Sequence, residues 1–189
     1  LVGEDGASKT YVNAKVKACE QIGFGSTLIQ LPEETSEEEV LATVDRLNKD
    51  ADIDGFIVQV PLPEQIDEQK VVEAILPEKD VDGFHPSNLG KMLLDLPTFL
   101  PATPKGMMLL MERNGIETSG KNCVVIGRSH TVGTPISVLM SRNSNPGNAT
   151  VTLCHSRTQN LAEITKKADI LIVAIGREGF VSADMVKEG

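Results

Sequence analysis

The chain has 189 residues, 40% of them hydrophobic and 24% charged, which fits one globular domain or two small ones and excludes disorder and collagen-like repetition. Its 18 basic residues against 27 acidic ones leave a net charge of −9 and a pI near 4.8, so a broad nucleic-acid-binding face is disfavoured while a local basic pocket for a small anion is not. No run approaches the roughly 18 apolar residues of a membrane span, so no membrane partner is expected. The opening Leu1-Val2-Gly3-Glu4 has neither an initiator Met nor a signal-peptide layout and reads as the edge of an excised fragment. Cys19, Cys123 and Cys154 lack C-x-x-C spacing, which points to a reducing compartment, the cytoplasm by default, and against a disulfide framework or structural zinc.

Helical and strand-like segments alternate along the chain, the pattern of an α/β protein with mostly parallel strands. Ser8 is expected to cap a helix with Val12, Val16, Cys19 and Ile22 on one face and Gly23 as its left-handed end. A strand over Ser26–Leu31 follows. Ser36 and Glu39 form a capping-box pair before a helix carrying Val40, Leu41, Val44 and Leu47. Ile53–Val60 reads as a buried strand ended by Pro61 and Pro63, and Gln69–Ile75 as a short helix. From Leu76 to Pro101 the chain is rich in Pro, Asp, Gly and Asn and reads as a long functional loop, with a domain boundary near Pro97. Thr103 and Pro104 look like an N-cap and first-turn proline of a helix ending near Asn114 and Gly115. Asn122–Ile126, Ala149–Leu153 and Ile170–Ile175 are three further strands separated by helices, the layout of a nucleotide-binding half-sheet.

The most informative segment is VVIGRSHTVGTP, Val124–Pro135, where an apolar strand runs into Gly127, a polar loop, Gly133 and a helix. Glycines allow close backbone approach to a pyrophosphate, and free N–H groups at a helix start favour anions. Ser129 stands where the usual G-x-G-x-x-G has its second glycine, and a plain strand-to-helix turn is the alternative. The strand ending in Cys154 leads to His155, Ser156, Arg157 and Thr158, where NAD-specific folds place an acid on the ribose. No acid stands there. Arg128 and Arg157 with Ser156 could instead meet a 2′-phosphate, favouring NADP over NAD, unless both arginines are solvated loop residues.

In the first half Tyr11 and Lys15 are four residues apart on one helix face, as a base and an orienting hydroxyl or as mere surface neighbours. A short-chain dehydrogenase is disfavoured, because there Tyr-x-x-x-Lys follows the glycine turn. Gln59, at the carboxyl end of its strand, is a candidate ligand contact or a loop tie. Asp80 and Asp82 offer a carboxylate to an amino-pyrimidine ring, or simply make Asx turns. His85, His130 and His155 lack ligand spacing with acids or cysteines, so no metal is expected.

Taken together and in order, Tyr11-x-x-x-Lys15, DGFIVQVPLP (54–63), PEKDVDGFHP (77–86), PATPKG (101–106), GRSHTVGTP and CHSRT closely resemble the methylenetetrahydrofolate dehydrogenase/cyclohydrolase family, in its bacterial form, over essentially the whole chain. The resemblance implies a folate-binding α/β catalytic domain over residues 1–97 and a Rossmann-type NADP-binding domain over 98–189, in a cytoplasmic homodimer acting on tetrahydrofolate derivatives. It implies oxidation of 5,10-methylenetetrahydrofolate by NADP and hydrolysis of the methenyl product to 10-formyltetrahydrofolate at one folate site. By motif, Lys15 matches the catalytic lysine acting with Gln59, Tyr11 the tyrosine stacking on folate, and Asp82 the aspartate gripping the pterin. Gly127, Arg128, Ser129, Gly133, His155, Ser156 and Arg157 fall in the cofactor-binding segments. Ala102 and Val60 depart from the family's PCTP and VQLPLP forms as tolerated packing changes. Family members begin earlier and continue past Gly189 with another strand and a PVPGGVGP loop, so an incomplete copy of doubtful activity is expected. The rival readings are an NAD-dependent dehydrogenase without hydrolase activity, a non-catalytic folate- or nucleotide-binding module, and an unrelated Rossmann oxidoreductase of the shikimate type.

Overall fold

The computed structural model describes residues 1–187; Glu188 and Gly189, the last two positions of the expected second domain, lie outside the described residues. Contacts divide the chain into two compact units, Leu1–Pro86 and Ser87–Gly189.

In the first unit, α1 (Gly6–Ile22) is capped by the Asp5 carboxylate, which accepts from Ser8 N. Ser8 is therefore not the cap; it lies buried in the first turn, where its amide is one of the donors a cap must satisfy. Gly23 does end α1 in the left-handed conformation, at φ 78°. Helix α2 (Glu37–Lys49) starts as expected, with Ser36 Oγ accepting from Glu39 N at 3.2 Å. Its Val40 and Val44 pack with Val2, Ile66, and Val71 and Ile75 from α3 (Glu68–Ala74) and its end. Asn48 ties the two helices, donating to Ala74 O at 2.7 Å and accepting from Leu76 N at 3.0 Å.

The two strands expected in this unit are not ladders. Residues 26–31 make one parallel bridge, Val2 to Leu31, with Gly3 N donating to Leu31 O and Leu31 N to Leu1 O, both at 2.9 Å. Residues 53–60 are extended and half-buried, with a single bridge from Phe56 to Asp80. The stretch expected to be a loop contains helix α4 (Pro86–Leu93), opened by Pro86 at a first-turn position. Asn88 and Gly90, both poor helix formers, hide it from periodicity. Arg142 holds its end, donating to Met92 O and pairing with Asp95 at 3.0 Å, so the residues between Pro86 and Pro97 pack with the second unit.

In that unit α5 runs Ala102–Arg113. Thr103 does not cap it: the helix starts directly after Pro101, and Pro104 sits in the first turn, where its missing N–H leaves no bond unmade. Three parallel strands follow in the order β2-β1-β3, namely β1 (Asn122–Ile126), β2 (Thr150–Cys154) and β3 (Ile170–Val173). Alternation along β1 sends Cys123 and Val125 to one face and Val124 and Ile126 to the other. The first pair meets Met111 of α5 and Ile136 and Met140 of α6 (Gly133–Ser141). The second meets Cys154, Ala168 and Met185, with Leu161, Ala162 and Ile164 of α7 (Leu161–Thr165) packed against them. Both faces of β1 are covered, as a parallel sheet requires. All three cysteines are free thiols, and burial pushes Cys123 up to about 11. Among the described residues no helix is long and apolar enough to cross a membrane.

Ile136 is fully buried beneath this sheet. Ile136→Ala is expected to cost about 2–5 kcal/mol, read as a lower urea midpoint for loss of the far-ultraviolet helix signal.

Candidate active site

Helix α1 presents Lys15, and the extended segment before Pro61 presents Gln59. Lys15 Nζ donates to Gln59 Oε1 at 3.3 Å, across 44 positions of sequence. Gln59 Nε2 donates to Val60 O at 2.7 Å, which fixes the amide so that its oxygen, and not its nitrogen, faces the ammonium. Tyr11, one helical turn before Lys15, is 65% exposed, its ring open to solvent.

The structure separates the roles of the two aspartates. Asp80 is buried, with its Oδ1 accepting from Gly83 N at 3.1 Å and its Oδ2 from His85 N at 2.7 Å, so it is the one that folds the turn. Asp82 lies inside that turn and makes no side-chain hydrogen bond among the described residues. Burial pushes its carboxyl above the usual range, the Lys15 ammonium pulls it back, and Asp80 pushes it up further. Lys15, Gln59 and Asp82 thus form one cluster, with Tyr11 on the same helix.

The second group stands at the carboxyl ends of β1 and β2, which are neighbours: Gly127 N donates to Cys154 O at 2.9 Å. Gly127 has φ 111°, and a Cβ there would overlap the Ala174 carbonyl; a Cβ on Gly133 would overlap Gly127 O. Only glycine fits at either position. Ser129 Oγ accepts from Val132 N at 3.1 Å and Gly133 N at 3.3 Å. Two of the amides expected to be free for a phosphate are thus already held by Ser129, which shapes the turn. After β2, His155 N donates to Thr158 Oγ1 at 2.8 Å and His155 Nδ1 accepts from Arg157 N at 3.2 Å, bracing a tight turn that leaves Ser156 and Arg157 exposed. Arg128 is exposed as well, and among the described residues neither it nor Arg157 forms an ion pair.

Sequence reasoning missed the capping role of Asp5 and the turn-bracing roles of Ser129 and His155. It also missed Lys79, whose Nζ donates to Leu47 O at 3.0 Å and Asp50 O at 2.6 Å at the end of α2. Signals existed for two aspartates: Asp5 is a favoured cap type ahead of a helical pattern, and Asp80, three residues before a glycine, suggests an Asx-type turn.

A parallel sheet of order β2-β1-β3 with a glycine turn and a basic turn leaving the same edge, preceded by a smaller, mainly helical unit with a lysine–amide–carboxylate cluster, defines a two-part α/β protein of the nucleotide-binding class. Residues 1–82 match the model of the tetrahydrofolate dehydrogenase/cyclohydrolase catalytic domain, and residues 101–189 that of the family's NAD(P)-binding domain. The chain belongs to the tetrahydrofolate dehydrogenase/cyclohydrolase family. It is 70% identical over all 189 residues to the bifunctional protein FolD of Cytophaga hutchinsonii, covering 65% of that relative. The structure of the bifunctional FolD dehydrogenase/cyclohydrolase of Campylobacter jejuni superimposes with a TM-score of 0.93 at 44% identity, over 100% of this chain and 66% of that one. The dehydrogenase-cyclohydrolase of Trypanosoma brucei, complexed with NADP cofactor and inhibitor, gives 0.92 at 34% identity, over 100% and 63%. The chain therefore spans just under two thirds of the length of these relatives.

The charges around Asp82 set a sign. Removing the Lys15 cation leaves burial and Asp80, both of which disfavour the carboxylate, so Lys15→Met is expected to raise the Asp82 titration midpoint. Carboxyl carbon NMR measures this directly, and an unchanged or lowered midpoint contradicts the arrangement.

Proposed function

We propose that this chain belongs to an enzyme that oxidises 5,10-methylenetetrahydrofolate with NADP and hydrolyses the 5,10-methenyl product to 10-formyltetrahydrofolate, both at one folate site. The observation that carries this reading is the Lys15–Gln59 hydrogen bond beside the half-buried carboxyl of Asp82. NADP held in the second unit would supply the hydride acceptor, so that the methylene carbon is left as the methenyl cation. Water then adds to that carbon, the bridge opens and one proton is released.

In this reading Lys15, its nitrogen held by Gln59 Oε1, acts with Gln59 to activate the attacking water and to position the one-carbon centre. Asp82 accepts hydrogen bonds from the amino-pyrimidine edge of the pterin, and the exposed Tyr11 ring stacks on the folate. The second unit has a donor set suited to NADP: backbone that approaches closely at Gly127 and Gly133, and Arg128, Ser156 and Arg157 for the 2′-phosphate, with no acid in the same turn to repel it. Ser129 and His155 serve by holding those two turns in shape. We assign the folate part to residues 1–97 and the NADP part to residues 98–189, in a cytoplasmic homodimer; the three free thiols are consistent with a reducing compartment.

The test is absorbance-monitored formation of methenyltetrahydrofolate by the purified chain with NADP and with NAD. Faster turnover with NADP is the expected result, and a preference for NAD favours the dehydrogenase-only rival. Lys15→Met is expected to slow methenyl hydrolysis by about 10²–10⁴-fold; hydrolysis that survives intact removes Lys15 from its role. Arg157→Ala is expected to weaken NADP binding about tenfold while leaving NAD binding nearly unchanged, read by calorimetric titration.

A further inference from the structure

We infer that Asp80 is a positioning residue for the one-carbon chemistry: its carboxylate closes the turn that presents Asp82 to Lys15 and Gln59. The inference rests on the function proposed above. Asp80 is 2% exposed, too deeply buried to touch a bound ligand, so any effect it has must pass through its neighbours.

Its two oxygens accept from separate amides, Gly83 N and His85 N, both beyond Asp82 in the chain. Gly83 N also donates to the Asp80 carbonyl at 3.2 Å, and Gly83 takes φ 73°, so the chain reverses immediately after Asp82. On the other side, Asp80 N donates to Leu76 O at 3.0 Å and Phe56 N to Lys79 O at 2.9 Å. That second bond joins the turn to the extended segment carrying Gln59, three residues on from Phe56. The approach is close, since a Cβ on Gly55 would overlap the Val81 side chain. Asp80 is therefore the junction between the segment that supplies the amide and the turn that supplies the carboxyl. Its charge acts on the same group, opposing that of Lys15 at Asp82, and those two are the charged groups that bear on the Asp82 carboxyl. A buried carboxylate satisfied by two backbone amides is costly to replace, because a neutral side chain leaves one donor unpaired.

The test uses the whole chain and follows carboxyl and amide resonances by NMR, with tetrahydrofolate and NADP titrated separately. In the wild-type chain the Gly83 and His85 amides are expected to be protected from hydrogen exchange. Rapid exchange of both overturns the inference without recourse to any variant. In Asp80→Asn, where one acceptor and the charge are lost, the Asp82 midpoint is expected to fall and tetrahydrofolate to bind about tenfold more weakly, with NADP binding unchanged as the control for folding. An Asp82 midpoint and tetrahydrofolate affinity both equal to wild type, in a variant that still binds NADP, overturn it. If the wild-type chain binds no tetrahydrofolate while Asp80→Asn abolishes the protection of the Gly83 and His85 amides, the positioning holds and the folate reading fails.

Discussion

A lysine on a helix and a glutamine on an extended segment can act on the same atom only if something fixes both, and here the Gln59 amide does so. Its nitrogen is committed to the Val60 carbonyl, so its oxygen has one remaining direction, toward Lys15. The rest of the first unit supports this arrangement. Helix α1 is anchored at its start by Asp5 and ended by Gly23, and the four-residue spacing of Tyr11 and Lys15 brings both to one side of it. The packed valines of α2 and α3 form the base on which residues 53–60 lie. Asp82, half-buried, then meets a cation in a setting where water screens little, which is why its carboxyl responds to Lys15 at all.

The second unit depends on a different constraint, close approach of backbone to backbone. Strand β1 is buried on both faces and flanked by parallel neighbours, so its carboxyl end opens beside that of β2. Gly127 and Gly133 let the following turn fold back on itself without collision. Ser129 takes the place that glycine occupies in the commoner motif and satisfies the first amides of α6 with its own hydroxyl. Arg128 and Arg157 are exposed cations beside these turns.

The three strands of the second unit, the Ser36 cap and the Gly23 end were legible because each rests on local chemistry: apolar runs, a hydroxyl before a helix, a residue free to take positive φ. Ser8 and Thr103 failed as caps because a hydroxyl near a helix start is a common signal, and only the backbone shows which residue stands first. Residues 26–31 and 53–60 have strand composition, yet among the described residues each makes a single bridge, because a ladder needs partners from distant chain that composition does not report. Helix α4 escaped notice because Asn88 and Gly90 mask its periodicity, while what holds it, the burial of Asn88 and Met92 and the bond from Arg142 about fifty positions away, is tertiary.

What the sequence determined by itself was the class of the fold and the set of chemically able side chains, since periodicity, glycine placement and motif order are properties of short stretches. The tertiary structure alone decided which of two neighbouring aspartates braces the turn and which faces the lysine. It also decided that Ser129 occupies amides that a phosphate would otherwise claim. Both decisions turn on where a hydrogen-bond acceptor ends up relative to donors from other turns of chain. That is a matter of distance in space, which spacing along the sequence does not encode.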